Sequence, residues 1–69
     1  MTQNEQILNH LESYSSITPL EAMDLYGIMR LGARIHELKK AGYPISARKV
    51  DRRNRYGEKV SVSEYRLIK

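Results

Sequence analysis

The sequence predicts an α+β fold in which three short helices are followed by a two-stranded antiparallel β-hairpin. Two capping boxes, which start at Thr2 and Thr18, mark the beginnings of helices. Gly27 and Gly42 stand where the second and third helical patterns stop, and glycine tolerates the positive φ that often ends a helix. After Gly42 the chain is rich in valine, isoleucine, serine and tyrosine with partial alternation, which indicates strands.

The length and composition predict one small domain that covers residues 1–69. Apolar residues make up 41% of the chain, which is enough for a compact core. The absence of cysteine excludes disulfides and cysteine-ligated zinc, and it fits a reducing compartment. No apolar run is long enough to cross a bilayer, and the N-terminus has no signal-peptide pattern. We therefore expect a cytoplasmic protein that does not enter membranes.

The net charge of +4 is unevenly distributed along the chain. Residues 1–29 carry −4, residues 30–59 carry +7, and residues 60–69 carry +1. A basic half of this kind predicts an anionic partner, with nucleic acid first and a membrane surface second. The alternative interpretation is a basic face that only contacts solvent.

The first helix is predicted over about residues 3–14. Ile7, Leu8, Leu11 and Tyr14 recur at helical spacing and form its apolar stripe. Two consecutive serines follow and end the pattern.

The second helix is predicted over about residues 19–26, with a proline at its first position. We expect it to bury Leu20 and Met23, with Leu25 as a third candidate. Ala22 is a small residue at the point where the second and third helices should approach closely.

The third helix is predicted over about residues 29–41. Its core stripe is formed by Ile28, Leu31, Ile35 and Leu38. At 100° per residue the opposite side carries Met29, Ala33, His36, Glu37 and Lys40. Arg30 and Arg34 fall on one flank of this helix.

The hairpin is predicted over about residues 45–68, with a polar, turn-prone segment at 52–58. Val60 and Val62 lie at even-numbered positions, whereas Tyr65 and Leu67 lie at odd-numbered positions, so the two pairs fall on opposite faces of a regular strand. Either a bulge interrupts the strand or both faces are partly covered, and we expect Tyr65 and Leu67 to be buried. The order of three helices and a hairpin is that of a winged helix-turn-helix.

Several blocks of the sequence resemble the small helix-turn-helix proteins that are common in bacteriophages and prophages. The blocks are Ile17–Ala22, Tyr26–Ile28 and Arg30–Ile35, followed by Leu38, Gly42, Ile45, Tyr65 and Leu67. The resemblance covers about residues 5–67. It implies a DNA-binding winged helix of phage origin, which would act in the host cytoplasm, and it implies no particular target.

Five residues of the third helix are candidates for DNA contact. The arginine side chain donates two parallel bonds to guanine O6 and N7 or grips a phosphate, which makes Arg30 and Arg34 the expected readers. For both arginines the alternative is an ion pair with Asp24 or Glu37, and Glu37 lies three residues after Arg34. A small side chain on the outward side permits close approach to base edges, and a histidine or lysine there can bind phosphate. These outward candidates are Ala33, His36 and Lys40. The alternatives are helix propensity for Ala33, a surface histidine without a special role for His36, and complementation of the helix dipole for Lys40.

The basic segment between the two strands supplies a second set of candidates. Arginine is favoured in a narrow minor groove, and a wing of this kind is expected along the backbone or in that groove. An aromatic side chain beside it can stack or bind a phosphate. The candidates are Arg52, Arg53, Arg55, Tyr56 and Lys59. The alternative is a solvated, mobile loop.

No pattern in the chain indicates catalysis. The sequence has no cysteine nucleophile, no glycine-rich phosphate loop and no paired-histidine metal motif. We expect no enzyme activity, no cofactor, no metal and no small-molecule ligand. The expected partner is double-stranded DNA, bound by a homodimer or a cooperative oligomer because one small module should bind weakly. The alternative is a protein-interaction module on a winged-helix scaffold, such as a phage inhibitor of a host enzyme.

Overall fold

The computed structural model describes residues 1–68 of the chain. It has three helices and three strands in an α+β arrangement. The elements are α1 (Gln3–Tyr14), β1 (Ser16–Ile17), α2 (Pro19–Tyr26), α3 (Leu31–Lys40), β2 (Ile45–Arg53) and β3 (Lys59–Leu67). Lys69, the last residue of the expected domain 1–69, lies outside the described residues.

The sheet has three strands rather than the expected two. Its order is β1-β3-β2, and both pairings are antiparallel. In β1, Ser16 lies opposite Arg66 and Ile17 lies opposite Tyr65. Ser15 takes a left-handed conformation at φ 74° and turns the chain from α1 into this strand. The expectation of a two-stranded sheet was wrong because a two-residue strand is too short to show any periodicity.

Both predicted capping boxes are present. The Glu5 amide donates to Thr2 Oγ1 at 3.1 Å, and the Glu21 amide donates to Thr18 Oγ1 at 3.2 Å. In return each glutamate accepts a bond from the backbone amide of its threonine. Two of the amides that every helix start leaves unpaired are therefore satisfied in α1 and in α2.

The turn between α2 and α3 is longer than the sequence suggested. Gly27 ends α2 at φ 65°, and Ile28 is buried in the turn, where its amide donates to the Ala22 carbonyl at 3.1 Å. Arg30 is the N-cap of α3, and the helix begins at Leu31. The predicted start near residue 29 was two residues early because Ile28 packs in the core from the turn instead of from the helix.

The core lies between the helices and one face of the sheet. Its buried apolar residues are Ile7, Leu11, Ile17, Ala22, Ile28, Leu31, Ile35, Leu38 and Ile45. The four expected core residues of the third helical stretch, Ile28, Leu31, Ile35 and Leu38, are all among them. Tyr26, Tyr65 and Leu67 are partly buried against this cluster.

The expected burial of α2 was wrong. Leu20, Met23 and Leu25 are 69%, 41% and 59% exposed, and Ala22 is the buried residue of this helix. A small residue lets α2 approach its neighbours closely, and this contact leaves Leu20, Met23 and Leu25 outside, whereas Tyr26 at the end of the helix is partly buried. Tyr14, expected in the apolar stripe of α1, is also exposed.

The β2–β3 hairpin has two distinct faces. Its register runs without a bulge from the pair Ile45–Leu67 to the pair Arg53–Lys59. Directly opposed residues point to the same side, so Tyr65 and Leu67 share one side, which we call the core face. The opposite side, which we call the back face, carries Val60, Val62 and Glu64. Both faces are partly covered, and this explains the mixed alternation of β3.

Candidate nucleic-acid interface

The outward side of α3 presents small and polar groups. Leu31, Ile35 and Leu38 point into the core, so residues near the opposite direction face away from it. His36 and Lys40 are exposed there, and Ala33 is partly covered. These three predicted contacts therefore lie together on one surface.

Arg30 lies at the start of α3 rather than on its flank. Its backbone has φ −120° and ψ 61°, and its side chain makes no capping bond to the helix. Arg30 is exposed, and no ion pair to it is seen within residues 1–68. Its guanidinium is free to bind an external acceptor at the N-terminal end of the helix.

Arg34 is engaged in a contact between α1 and α3. Its Nε lies 3.0 Å from Glu37 Oε1, an approach that lacks the alignment of a hydrogen bond, and its Nη2 donates to Glu37 Oε2 at 3.4 Å. Asn4 of α1 donates to the same carboxylate at 3.3 Å. The alternative interpretation of Arg34, an ion pair with Glu37, describes its position, and the Glu37 carboxylate joins it to Asn4 of α1.

The loop between β2 and β3 forms an ordered turn. Asn54 Oδ1 accepts hydrogen bonds from the amides of Tyr56 at 2.9 Å and Glu58 at 3.0 Å. Gly57 adopts φ 79°, and its carbonyl accepts a 2.7 Å bond from Arg53 Nη1. Arg55 and Tyr56 lie at the apex and are exposed, so the turn presents a cation and an aromatic ring outward.

Two of the predicted wing contacts are ion-paired. Lys59 Nζ lies 3.2 Å from Asp51 Oδ2, and both side chains are exposed. Arg52 Nη2 lies 3.5 Å from Glu64 Oε2, and Arg48 Nε lies 3.1 Å from Glu64 Oε1. The hairpin therefore carries less uncompensated charge than its sequence indicates.

Two features of the hairpin were missed in the sequence, the burial of Glu64 and the face of the hairpin on which Lys49 lies. Glu64 is only 7% exposed although it is ionisable, and Lys49 shares the core face with Arg53 and Lys59. Glu64 lies two residues after Val62 and four after Val60, on the same side of the strand, and this pattern was a signal that it is buried. The facing of Lys49 could be found only from the strand register.

A groove of about 530 Å³ separates the first turn of α2 from the hairpin. Pro19 and Leu20 line one side, and Val60 and Val62 line the other. Val60 and Val62 belong to the back face of the hairpin, and Arg52, Arg53 and Glu64 also line the groove. Among residues 1–68 no cluster of histidine, aspartate and glutamate could hold a metal ion. No helix in this part of the chain has the length and apolar composition needed to cross a bilayer.

The comparison with protein families matches the geometry described above. A family model described as a winged helix-turn-helix domain matches residues 2–69, nearly the whole chain. No curated protein matches the sequence. A domain of this family indicates DNA binding, in agreement with the basic surface of α3 and the hairpin. The chain belongs to the winged helix-turn-helix domain family.

Proposed function

We propose that this chain is a sequence-specific DNA-binding protein of phage type, either a small transcriptional regulator or an excisionase-like architectural factor. The outward side of α3 enters the major groove, and the hairpin lies as a wing along the adjacent backbone or minor groove. The observation that carries the proposal is the combination of Ala33, His36 and Lys40 on a slim face of α3 with the exposed cations Arg30, at the start of that helix, and Arg55, at the tip of the hairpin.

The small size of the domain favours more than one copy on DNA. A single module of this kind covers a short site, and specific binding at useful affinity is commonly reached by two modules on adjacent half-sites. We propose a homodimer or a cooperative oligomer as the DNA-bound form.

A titration of the full chain against random duplex DNA tests the proposal directly. We expect binding at low salt that weakens as salt rises, with a log–log slope of about −0.9 for each phosphate neutralised. Arg53→Gln and Arg66→Gln are charge-matched variants, and Arg66 lies at the base of the sheet opposite Ser46. Arg53→Gln should weaken binding more than Arg66→Gln. No binding at low salt would refute the proposal.

The rival function is a protein-interaction module that docks through the acidic N-terminal half. The exposed apolar side chains of α2 and the groove beside them favour it. Glu21 and Asp24 add negative charge to the same helix. Failure to bind DNA, together with capture of a basic protein that is lost on Leu20→Ser, would support this function instead.

A further inference from the structure

We propose that the wing contacts DNA only with its core face, through Lys49, Arg53 and Lys59. On the back face, ion pairs with Glu64 keep Arg48 and Arg52 from binding DNA. This inference rests on the DNA-binding function proposed above. It divides the basic residues of the hairpin into a set that contacts DNA and a set that is held in ion pairs. The sequence alone does not distinguish the two sets.

The strand register separates the two sets. Arg53 lies directly opposite Lys59 and Lys49 lies opposite Ser63, so these side chains share the face of Tyr65. Arg48 lies opposite Glu64 and Arg52 lies opposite Val60 on the other face.

Tyr65 connects the core face to α3. A methyl group added at Gly32 of α3 would lie 3.7 Å from the Tyr65 hydroxyl oxygen. The core face therefore adjoins the helix that carries the other predicted contacts. Lys49 and Arg53 extend this surface along β2 over about 13 Å, because four residues of a strand rise by roughly 3.3 Å each.

The cations of the core face remain able to bind an external anion. Lys49 Nζ donates to Ser63 Oγ at 3.1 Å, and Arg53 donates to the Gly57 carbonyl, so both have neutral partners. Lys59 has an acidic partner, Asp51, but this pair is exposed, and exposed pairs are weak enough to exchange for a phosphate.

The cations of the back face are held by a buried carboxylate. Glu64 Oε1 accepts from Arg48 Nε at 3.1 Å, and Arg52 approaches its other oxygen. Removing the partners of a buried carboxylate leaves an uncompensated charge, which is strongly unfavourable. Arg48 and Arg52 therefore stay with Glu64 and point away from the side of α3.

Two triple variants of the full chain test this division with matched charge. The first, Lys49→Gln with Asp51→Asn and Arg53→Gln, alters the core face. The second, Arg48→Gln with Arg52→Gln and Glu64→Gln, alters the back face and leaves no buried charge unpaired. Each removes two cations and one anion from the same hairpin, so a uniform field effect is equal in both. Circular dichroism and thermal unfolding are the controls that test whether each variant is folded.

The readout is the salt dependence of binding to random duplex DNA. We expect the core-face variant to reduce the magnitude of the log–log slope by about 1 to 2, at roughly 0.9 per lost phosphate contact. The back-face variant should change it by less than about 0.5. Equal changes in both variants, or a larger change in the back-face variant, would overturn the division of the wing while leaving DNA binding intact.

Two further outcomes are failure of the natural chain to bind DNA and failure of the back-face variant to fold. If the natural chain does not bind DNA, the proposed function fails and this inference fails with it. If the back-face variant does not fold, Glu64→Gln alone replaces it. That variant releases Arg48 and Arg52 from a charged partner and should strengthen non-specific binding, and unchanged binding would count against restraint by Glu64.

Discussion

His10 Nδ1 lies 2.7 Å from the hydroxyl oxygen of Tyr26, and this contact ties the buried side of α1 to the end of α2. The two rings meet edge to face at a centroid distance of 5.6 Å. His10 is only 4% exposed, and its Nε2 has no hydrogen-bond partner within the described residues. The Tyr26 hydroxyl is therefore the one polar group that satisfies this imidazole in the described part of the protein.

Tyr26→Phe should destabilise the fold by about 1–3 kcal/mol, because both ring nitrogens of a buried histidine would then lack partners. Urea unfolding followed by circular dichroism measures the change. Tyr14→Phe is the matched control, since the Tyr14 ring packs against His10 at a centroid distance of 4.7 Å and a tilt of 45°, while its hydroxyl has no partner seen in residues 1–68. A loss of equal size in both variants would contradict the role assigned to the Tyr26 hydroxyl.

Thr18→Ala should cost about 1 kcal/mol of stability, because Thr18 Oγ1 satisfies the Glu21 amide at the start of α2. Thr18 is also largely buried. Thermal unfolding gives the magnitude. Thr18→Ser keeps the hydroxyl and should retain most of the stability, and a serine variant as unstable as the alanine variant would show that the methyl group matters instead.

Glu5 should contribute a stability that depends on pH. The bond from the Thr2 backbone amide, followed by that with the Thr2 side chain, lowers the pKa of Glu5 below its ordinary value of 4.5. A carboxyl with a lower pKa in the folded state stabilises the fold above the unfolded value, and this contribution is lost as pH falls through the folded pKa.

Comparison with Glu5→Gln isolates this effect. Glutamine keeps a neutral acceptor for the Thr2 amide, so the natural chain should unfold at a higher temperature than the variant at about pH 7. The difference should shrink as pH falls through the folded pKa of Glu5. A difference that does not change with pH would mean that the charge of Glu5 is not involved.

Gly32→Ala should stabilise the protein by about 0.5–1 kcal/mol, because alanine has the higher helix propensity. Gly32 lies inside α3, and an added methyl group would meet only the Tyr65 hydroxyl at the ordinary contact distance of 3.7 Å. Gly27→Ala is the contrasting variant, since φ 65° at that position strains any other side chain. Denaturant titration of both should give changes of opposite sign.

Arg30 and Arg34 should differ in their effects on DNA recognition. Arg30→Ala removes a free guanidinium and should relax the sequence preference, at a cost of about 1–3 kcal/mol for its base. Arg34→Ala breaks a contact with Glu37 and should leave the preference unchanged. Selection of bound duplexes from a random pool, done with both variants, measures the outcome. A loss of preference in the Arg34 variant alone would reverse these roles.

The helices of this protein were largely predictable, since local chemistry decides where a helix begins and ends. Thr2 and Thr18 form their caps with residues three positions away, and Gly27 and Gly42 end helical segments through their own backbone freedom. The start of α3 was the exception. The burial of Ile28 depends on residues that are distant in the sequence, and the helix therefore begins only at Leu31.

The sequence supplied candidate residues for the interface but not their arrangement. The sequence identified Arg30, Arg53 and Arg55 as exposed cations. It could not pair Arg52 with Glu64, because those residues lie on different strands and meet only through the register of the hairpin. It also left the partner of Arg34 open between two acids, and helix geometry selected Glu37.

The sequence by itself determined the fold class, the caps of two helices and the basic character of the second half, because each depends on residues close together in the chain. Tertiary structure alone decided the third strand, the exposure of Leu20 and Leu25, and the burial of Glu64. Each of these depends on which distant surface a side chain or strand edge meets. Burial against such a surface outweighs the local pattern, since it removes apolar area from water and gives buried polar groups their partners.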